Sequence, residues 1–543
     1  MHPFGEQLVG VMKVLGRALS KVALKSDTSA PSEKLVKIFY DSCLQAQSGV
    51  QETEGTVVER KILAIANETK NVWQFVGRIR REVNLKYEID LVAGDHGVRG
   101  AQMSIYPKTE KETDKPEIIA FSELPALVPN VDWVSYFDGL VPDDVQKFFR
   151  IQNKTIKVAV WGKERIIKAA ELINQNTVSS ITKILIEDYV PRRNSSNKEG
   201  VSVEENCLAE CLTYLAPATI KLYFGEINQD VGEWRYDLIK LYRTVVAAFR
   251  FLLAGVDWLS ESDREKIQQK IDDMTYSTGL PIWIDDEVKV AKEASQYFYD
   301  PNESVEENNR RFKKAIFDQR LRAIAFGEKI EDPMQLRQNG FYNSEKNSIE
   351  VHFGYISPPN HHVDYPLAVK YGLVGFIIGH EIMHALDGNH VAHAPHTTEE
   401  WLSERAYEGF EKRRKCFENQ YALAGISPNT FSENLADIDG LKVAYAAYKF
   451  ASQTFQEDPP LPNVQESYDQ LFFVAYARKF CTNAGKVKFL SAHSPHRHRV
   501  DIALQNAPVF AKAYKCAVGS RYAPLKTCSM WGDMYNPARA LKA

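Results

Sequence analysis

The run YGLVGFIIGHEIMHALDG, residues 371–388, has less structural freedom than any other part of this 543-residue chain. Leu373, Phe376, Ile377 and Met383 recur at three-and-four spacing, which predicts a helix whose apolar face must be covered. Within it stand His380, Glu381 and His384 in the pattern HExxH. Side chains four apart lie one turn above each other, so two imidazole nitrogens can reach one ion. Glu381 points about 100° round the axis, toward whatever occupies an open coordination position. One Zn2+ per chain is the ion this donor set suits. The competing reading is two buried histidines spaced this way by coincidence, and a third ligand elsewhere in the chain separates the two.

The segment FSENLADIDG supplies that candidate in Glu433, 49 residues after His384. Glu433 and Asp437 are four apart on a second predicted helix. One carboxylate can therefore reach the metal while the other accepts the N–H of a ligating imidazole, fixing its tautomer. Asp387, three residues beyond His384, can serve the other histidine in the same way. Alone, these acids would read as a solvated helix face; beside HExxH they complete a donor set.

Composition narrows the rest. With 44% hydrophobic and 25% charged residues the chain is an ordinary folded globular protein. The 67 basic and 71 acidic residues leave a net charge of -4, which argues against nucleic acid as a partner. No uncharged apolar run reaches the roughly 18 residues a membrane span needs, and the first 21 residues lack the apolar stretch of a signal peptide. Apolar periodicity at Leu35, Ile38, Phe39 and Cys43, and again at Leu238, Leu241, Val245, Phe249 and Leu252, makes the first 330 residues mainly helical. The exception is residues 87–106, where β-formers flank GDHGVRG and predict a hairpin; its glycines miss the GxGxxG spacing of a nucleotide loop. Eleven of the thirteen histidines lie after residue 350. A mostly helical stretch over 1–300 therefore precedes a histidine-rich, zinc-bearing part over 301–543.

HEIMHALD followed by ENLAD resembles the neprilysin and endothelin-converting-enzyme family of zinc metallopeptidases. NGFYNSEKNSIEVHFGYISPP, AHSPHRHRV and KTCSMW resemble further segments of that family, in order, from about Ser32 to Trp531. The resemblance implies a mainly α fold with small β parts: a two-lobed, thermolysin-like (gluzincin) metallopeptidase with a large helical cap facing the catalytic lobe across a chamber. It implies His380, His384 and Glu433 as zinc ligands, Glu381 as general base and Asp437 as orienter. His493 falls at the position that stabilises the oxyanion, Arg499 at the one that holds a substrate carbonyl or carboxylate, and Asn339 at the one that bonds the substrate backbone. Gly340 stands where the family usually has alanine, so its backbone contact is covered by the resemblance and the shape of its subsite is not. Alternation of Ile349, Val351, Phe353 and Tyr355 with polar residues predicts an edge strand along which an extended peptide can pair.

The resemblance also implies the function: a zinc-dependent endopeptidase hydrolysing small bioactive peptides, with a large apolar side chain favoured just after the scissile bond. A truncated, catalytically silent peptide-binding homologue is the alternative. A zinc aminopeptidase would need an acidic anchor for the substrate amine, and no such motif is recognisable.

The seven cysteines permit reduced thiols or a partial disulfide framework. By resemblance Cys416 pairs with Cys528, and Cys43 with either Cys207 or Cys211, while the usual partners of Cys481 and Cys516 fall ahead of Met1. This implies a chain N-terminally truncated relative to typical members, from a secreted protein or the ectodomain of an anchored one. A reducing cytosol is the alternative. The Asn-x-Ser/Thr sites at Asn67, Asn153, Asn194 and Asn302 are compatible with secretion and no more frequent than chance.

Overall fold

The computed structural model describes residues 5–22, 29–48, 52–93, 101–107, 116–150, 153–188, 190–193, 202–328, 340–344, 346–388, 401–454, 461–481 and 493–532. The chain forms two compact units: Met1–Ser20, Ile220–Asp286 and Met334–Ala543 in one, Lys21–Thr219 and Glu287–Pro333 in the other. Among the described residues both are mainly helical, and each contains one small sheet. No helix among the described residues is long and apolar enough to cross a membrane.

This partition departs from a single cut after residue 300. The helix Val231–Ala254 belongs with the C-terminal segments, because its periodic residues Leu238, Leu241, Val245, Phe249 and Leu252 are buried and it packs on the helix Phe431–Thr454. The helix Val305–Phe326 belongs instead with the N-terminal segments, where Arg81 forms a two-point ion pair with Asp318 at 2.7 and 2.9 Å. Periodicity shows that a face will be buried, but not against what.

In the second unit β1 (Ile89–Ala93) pairs antiparallel with β2 (Met103–Pro107), as the hairpin expectation requires; the turn residues 94–100 lie outside the described residues. With β3 (Glu117–Ala120) and β4 (Lys157–Val160) they form a sheet of order β1-β2-β4-β3. Helices Pro31–Ser48 and Val203–Tyr214 of this unit are joined by the disulfide Cys43–Cys207, which resolves the pairing left open by the sequence. Cys211, one turn on, is a buried free thiol.

The first unit contains β5 (Thr275–Ser277), β6 (Gly340–Asn343) and β7 (Ser348–Val351) in the order β5-β7-β6. The expected edge strand is corrected here. Ile349 and Val351 alternate inward as predicted, but β7 is central, flanked by parallel β5 and antiparallel β6, and it ends before Phe353 and Tyr355. Among the described residues the edges are β5 and β6. Two-residue alternation reports a buried face; it carries no information about a distant three-residue strand arriving on the far side.

Candidate metal centre

The HExxH segment is helical from Leu367 to His384, interrupted by a π-helical turn at Tyr371–Gly375 just before the motif. Leu373, Phe376, Ile377 and Met383 are all buried, and so are Ile378 and Ile382 on other faces, so the helix is enclosed all round. It crosses the helix Phe431–Thr454 at a glycine pair. A Cβ at Gly379 would stand 2.7 Å from the Gly440 carbonyl oxygen, and one at Gly440 would stand 2.7 Å from the His380 backbone nitrogen. Any larger side chain at either position would hold the helices apart.

At this spacing the donors of both helices converge. His380 Nε2 and His384 Nε2 are 3.2 Å apart; Glu433 Oε2 is 3.3 Å from the first and Glu433 Oε1 is 3.6 Å from the second. Zinc donors at about 2.0–2.1 Å in a tetrahedral shell lie about 3.3 Å from one another, so the three spacings fit one ion. Glu433 Oε2 is buried with several nitrogens near it but no well-aligned hydrogen bond, as expected of an oxygen directed at a metal. Among the described residues this is the one group of three or more such side chains with metal-binding spacing.

The remaining ring nitrogens face carboxylates. His380 Nδ1 lies 3.1 Å from Asp437 Oδ1, and His384 Nδ1 is hydrogen-bonded to Asp387 Oδ2 at 3.0 Å. Burial works against the His384 imidazolium, but Asp387, Glu381 and Glu433 outweigh it and raise its pKa to about 9. Burial likewise opposes charge on Glu433, and His380, His493 and His384 overcome it, holding the carboxyl far below the usual range. Asp437 is fully buried, yet Arg499 and His380 hold its pKa down at about 2.

Glu381 is buried beside β6: a Cβ on Gly340 would meet its Oε1 at 3.3 Å and Ile377 Cγ1 at 3.2 Å. The glycine at this position therefore leaves the Glu381 carboxylate room that an alanine would crowd. His493 Nε2 reaches Glu433 Oε2 at 3.1 Å. Arg499 is also drawn in, but two of its nitrogens are committed to Asp437, Nε at 2.6 Å and Nη2 at 2.7 Å. Asn339 lies outside the described residues.

Several supporting residues carried no motif of their own. The buried Ser494 hydroxyl donates to Asn434 Oδ1 at 2.6 Å, and Asn434 in turn donates to Thr430 Oγ1 at 2.8 Å, which ties the chain next to His493 to the start of the Glu433 helix. Asp439 accepts the backbone N–H groups of Met530 and Trp531 at 2.9 and 3.1 Å, and Lys442 donates to the Cys528 carbonyl at 2.8 Å. The disulfide Cys416–Cys528, expected from the resemblance, closes the same corner. The signal for Asp439 and Lys442 was their place two and five residues past Asp437 on the buried helix, where charged side chains need partners.

The helix pair and its three donors define the class of the molecule, a thermolysin-like metallopeptidase fold. Residues 339–530 match the model of Peptidase family M13. Neprilysin-11 of Caenorhabditis elegans is 26% identical over 451 residues, covering 75% of this chain and 51% of that protein. Endothelin-converting enzyme 1 of Bos taurus is 23% identical over 464 residues, covering 78% and 60%. The solved structure of Mycobacterium tuberculosis zinc metalloprotease Zmp1 in complex with inhibitor has the same fold, with a TM-score of 0.66 at 16% identity over 97% of this chain and 93% of that one. Over residues 339–530 the chain is thus similar to Peptidase family M13, and over about three quarters of its length to neprilysin and endothelin-converting enzyme relatives. Its match spans 51% to 61% of the length of the first curated relatives.

Proposed function

We propose that the chain is a zinc-dependent endopeptidase that hydrolyses small peptides. The observation that carries this reading is the convergence of His380, His384 and Glu433, with spacings of 3.2, 3.3 and 3.6 Å, beside the buried carboxylate of Glu381. Held by those three side chains, one zinc ion would supply the Lewis acidity that polarises the scissile carbonyl. Glu381 takes the proton of the attacking water on its carboxylate and passes it to the departing amine, so no covalent intermediate is needed. His493 Nε2 donates to the oxygen on which charge develops. Asp437 and Asp387 hold the two ligating rings in the tautomer that presents Nε2, and Arg499 acts first as a positioning residue that fixes Asp437.

The roles of Asn339 and Gly340 on the substrate backbone, and of the Arg499 guanidinium on a substrate carbonyl or carboxylate, rest on the family resemblance. So does restriction to small peptides by a helical cap lobe. The two disulfides fit an extracellular setting, as a secreted protein or an ectodomain.

The test is cleavage of an internally quenched peptide by the zinc-loaded chain. Turnover is expected, lost with a chelator and regained with zinc, and lost in Glu381→Gln while zinc is retained. Appreciable hydrolysis by Glu381→Gln contradicts the assigned base. Cleavage of intact casein as fast as a ten-residue peptide contradicts the size restriction.

A further inference from the structure

Lys479 follows the helix Tyr468–Arg478, and its ammonium is used by nothing described above. Nζ lies 4.9 Å from the ring centroid of Phe376, 5.3 Å from that of Tyr355 and 5.5 Å from that of Phe480. Phe376 stands one turn before His380 on the motif helix, and the two rings are in contact at 5.8 Å. Phe480 also lies under the Arg499 guanidinium at 5.0 Å. The cation thus sits one aromatic ring away from a metal-ligating imidazole, in a wall shared with Arg499.

Among the described residues no carboxylate comes within ion-pairing distance of Nζ, and no hydrogen bond is made to it. Cation–π contacts return about 0.5–2 kcal/mol each, against an effective cost of several kcal/mol for withdrawing an ammonium from water. Lys479 is half-buried, so this incompletely compensated charge remains open to solvent on one side. Burial and then Arg499 push its pKa down, to about 8, while Asp437, Glu381 and Glu433 act in the opposite direction. The group is therefore still mainly charged at neutral pH and within electrostatic reach of the reacting centre.

We propose that Lys479 is a specificity-determining residue whose ammonium receives a carboxylate on the substrate beside the scissile bond, making acidic peptides the preferred substrate class. This rests on the endopeptidase reading and departs from the apolar preference that the family resemblance implies. The aromatic rings form a wall, and of the two cations against it Arg499 is held by two hydrogen bonds to Asp437 while the Lys479 ammonium has only ring contacts among the described residues. The carboxylate can belong to an Asp or Glu side chain or to the C-terminus of a short peptide. The plain alternative is a cation that only caps the C-terminal end of its helix, which would affect stability without affecting substrate choice.

The test uses matched quenched peptides carrying Glu, Leu or Lys immediately before or after the cleaved bond, each as free acid and as C-terminal amide. The expected kcat/KM for a Glu peptide is about tenfold or more above that for its Leu counterpart. A preference kept in the amides identifies the side chain as its source; one confined to the free acids identifies the C-terminus. Lys479→Met should bring the ratio close to one, Lys479→Glu should invert it in favour of Lys peptides, and Lys479→Arg should preserve it. Equal cleavage of Glu and Leu peptides by the wild type, or a preference that survives in Lys479→Met, overturns the proposal. If Lys479→Met fails to fold, the wild-type and Lys479→Arg ratios decide. Binding of the same peptides to the zinc-loaded Glu381→Gln chain gives a readout independent of turnover. Acidic preference in binding without wild-type cleavage of any peptide would sink the endopeptidase reading and leave the recognition intact. Cleavage without acidic preference would do the reverse, and neither binding nor cleavage would contradict both.

Discussion

Gly379 and Gly440 face each other where the HExxH helix crosses the helix of Glu433, so closely that a Cβ on Gly379 would lie 2.7 Å from the Gly440 carbonyl oxygen. The contact sets the distance between His380 on one helix and Glu433 on the other. Gly440→Ala should separate the helices, at an overpacking cost of about 1–3 kcal/mol in denaturant unfolding, and should weaken zinc binding by at least about tenfold. Unchanged zinc affinity in competition titration would show that the crossing does not set the donor spacing.

Of the two carboxylates behind the histidines, Asp437 also holds the buried Arg499 guanidinium at two points, so its loss should cost more. Asp387→Asn replaces the charged acceptor facing His384 Nδ1 by a neutral amide and should lower zinc affinity by about 10–100-fold. Asp437→Ala also strands the buried Arg499 guanidinium, adding a destabilisation of about 3–5 kcal/mol. Equal unfolding free energies for the two variants would contradict this division.

The pH dependence of the zinc-free chain follows from opposed shifts. His384 has its pKa raised from 6.5 to about 9, so its contribution to stability is fully present below about 6.5 and is lost as pH rises through about 9. Asp437 has its pKa lowered from 3.8 to about 2, so its contribution is present above about 3.8 and is lost as pH falls through about 2. Zinc competes with the His384 proton. Affinity should therefore climb between pH 6 and pH 9, and calorimetry at pH 7 in buffers of different ionisation enthalpy should record release of about one proton. A pH-independent affinity would contradict the raised pKa.

The corner formed by Asp439, Lys442 and the Cys416–Cys528 disulfide clamps the 528–531 segment to the Glu433 helix. Replacing both cysteines by serine should cost about 2–5 kcal/mol, measured by urea unfolding. Zinc stoichiometry should be unchanged under native conditions, because no metal donor lies in that corner.

Much of the metal centre was legible in the sequence because its donors obey short periods: His380 and His384 are four apart on one helix, Glu433 and Asp437 four apart on another. The supports that bring those helices together obey no such period. Gly379 and Gly440 are informative only once the crossing is known, and Ser494 only once Asn434 is found beside it. The same limit applies to the helix Val231–Ala254, which packs on the distant helix Phe431–Thr454, and to β7, which lies between β5 and β6 and not at an edge. In each case the partner is distant in the chain, and periodicity does not encode it. A lysine after a helix ordinarily signals a solvated terminus, and two of the three rings around Lys479, Tyr355 and Phe376, come from distant segments, so the sequence carries no sign of its setting.

The central claim is that three side chains from two helices hold one zinc ion, and zinc content of the purified chain with and without the Glu433 carboxylate tests it most directly. The wild type should hold one zinc per chain after dialysis against weak chelator, and Glu433→Gln should lose most of it while remaining folded. Full zinc retention by Glu433→Gln would contradict the account.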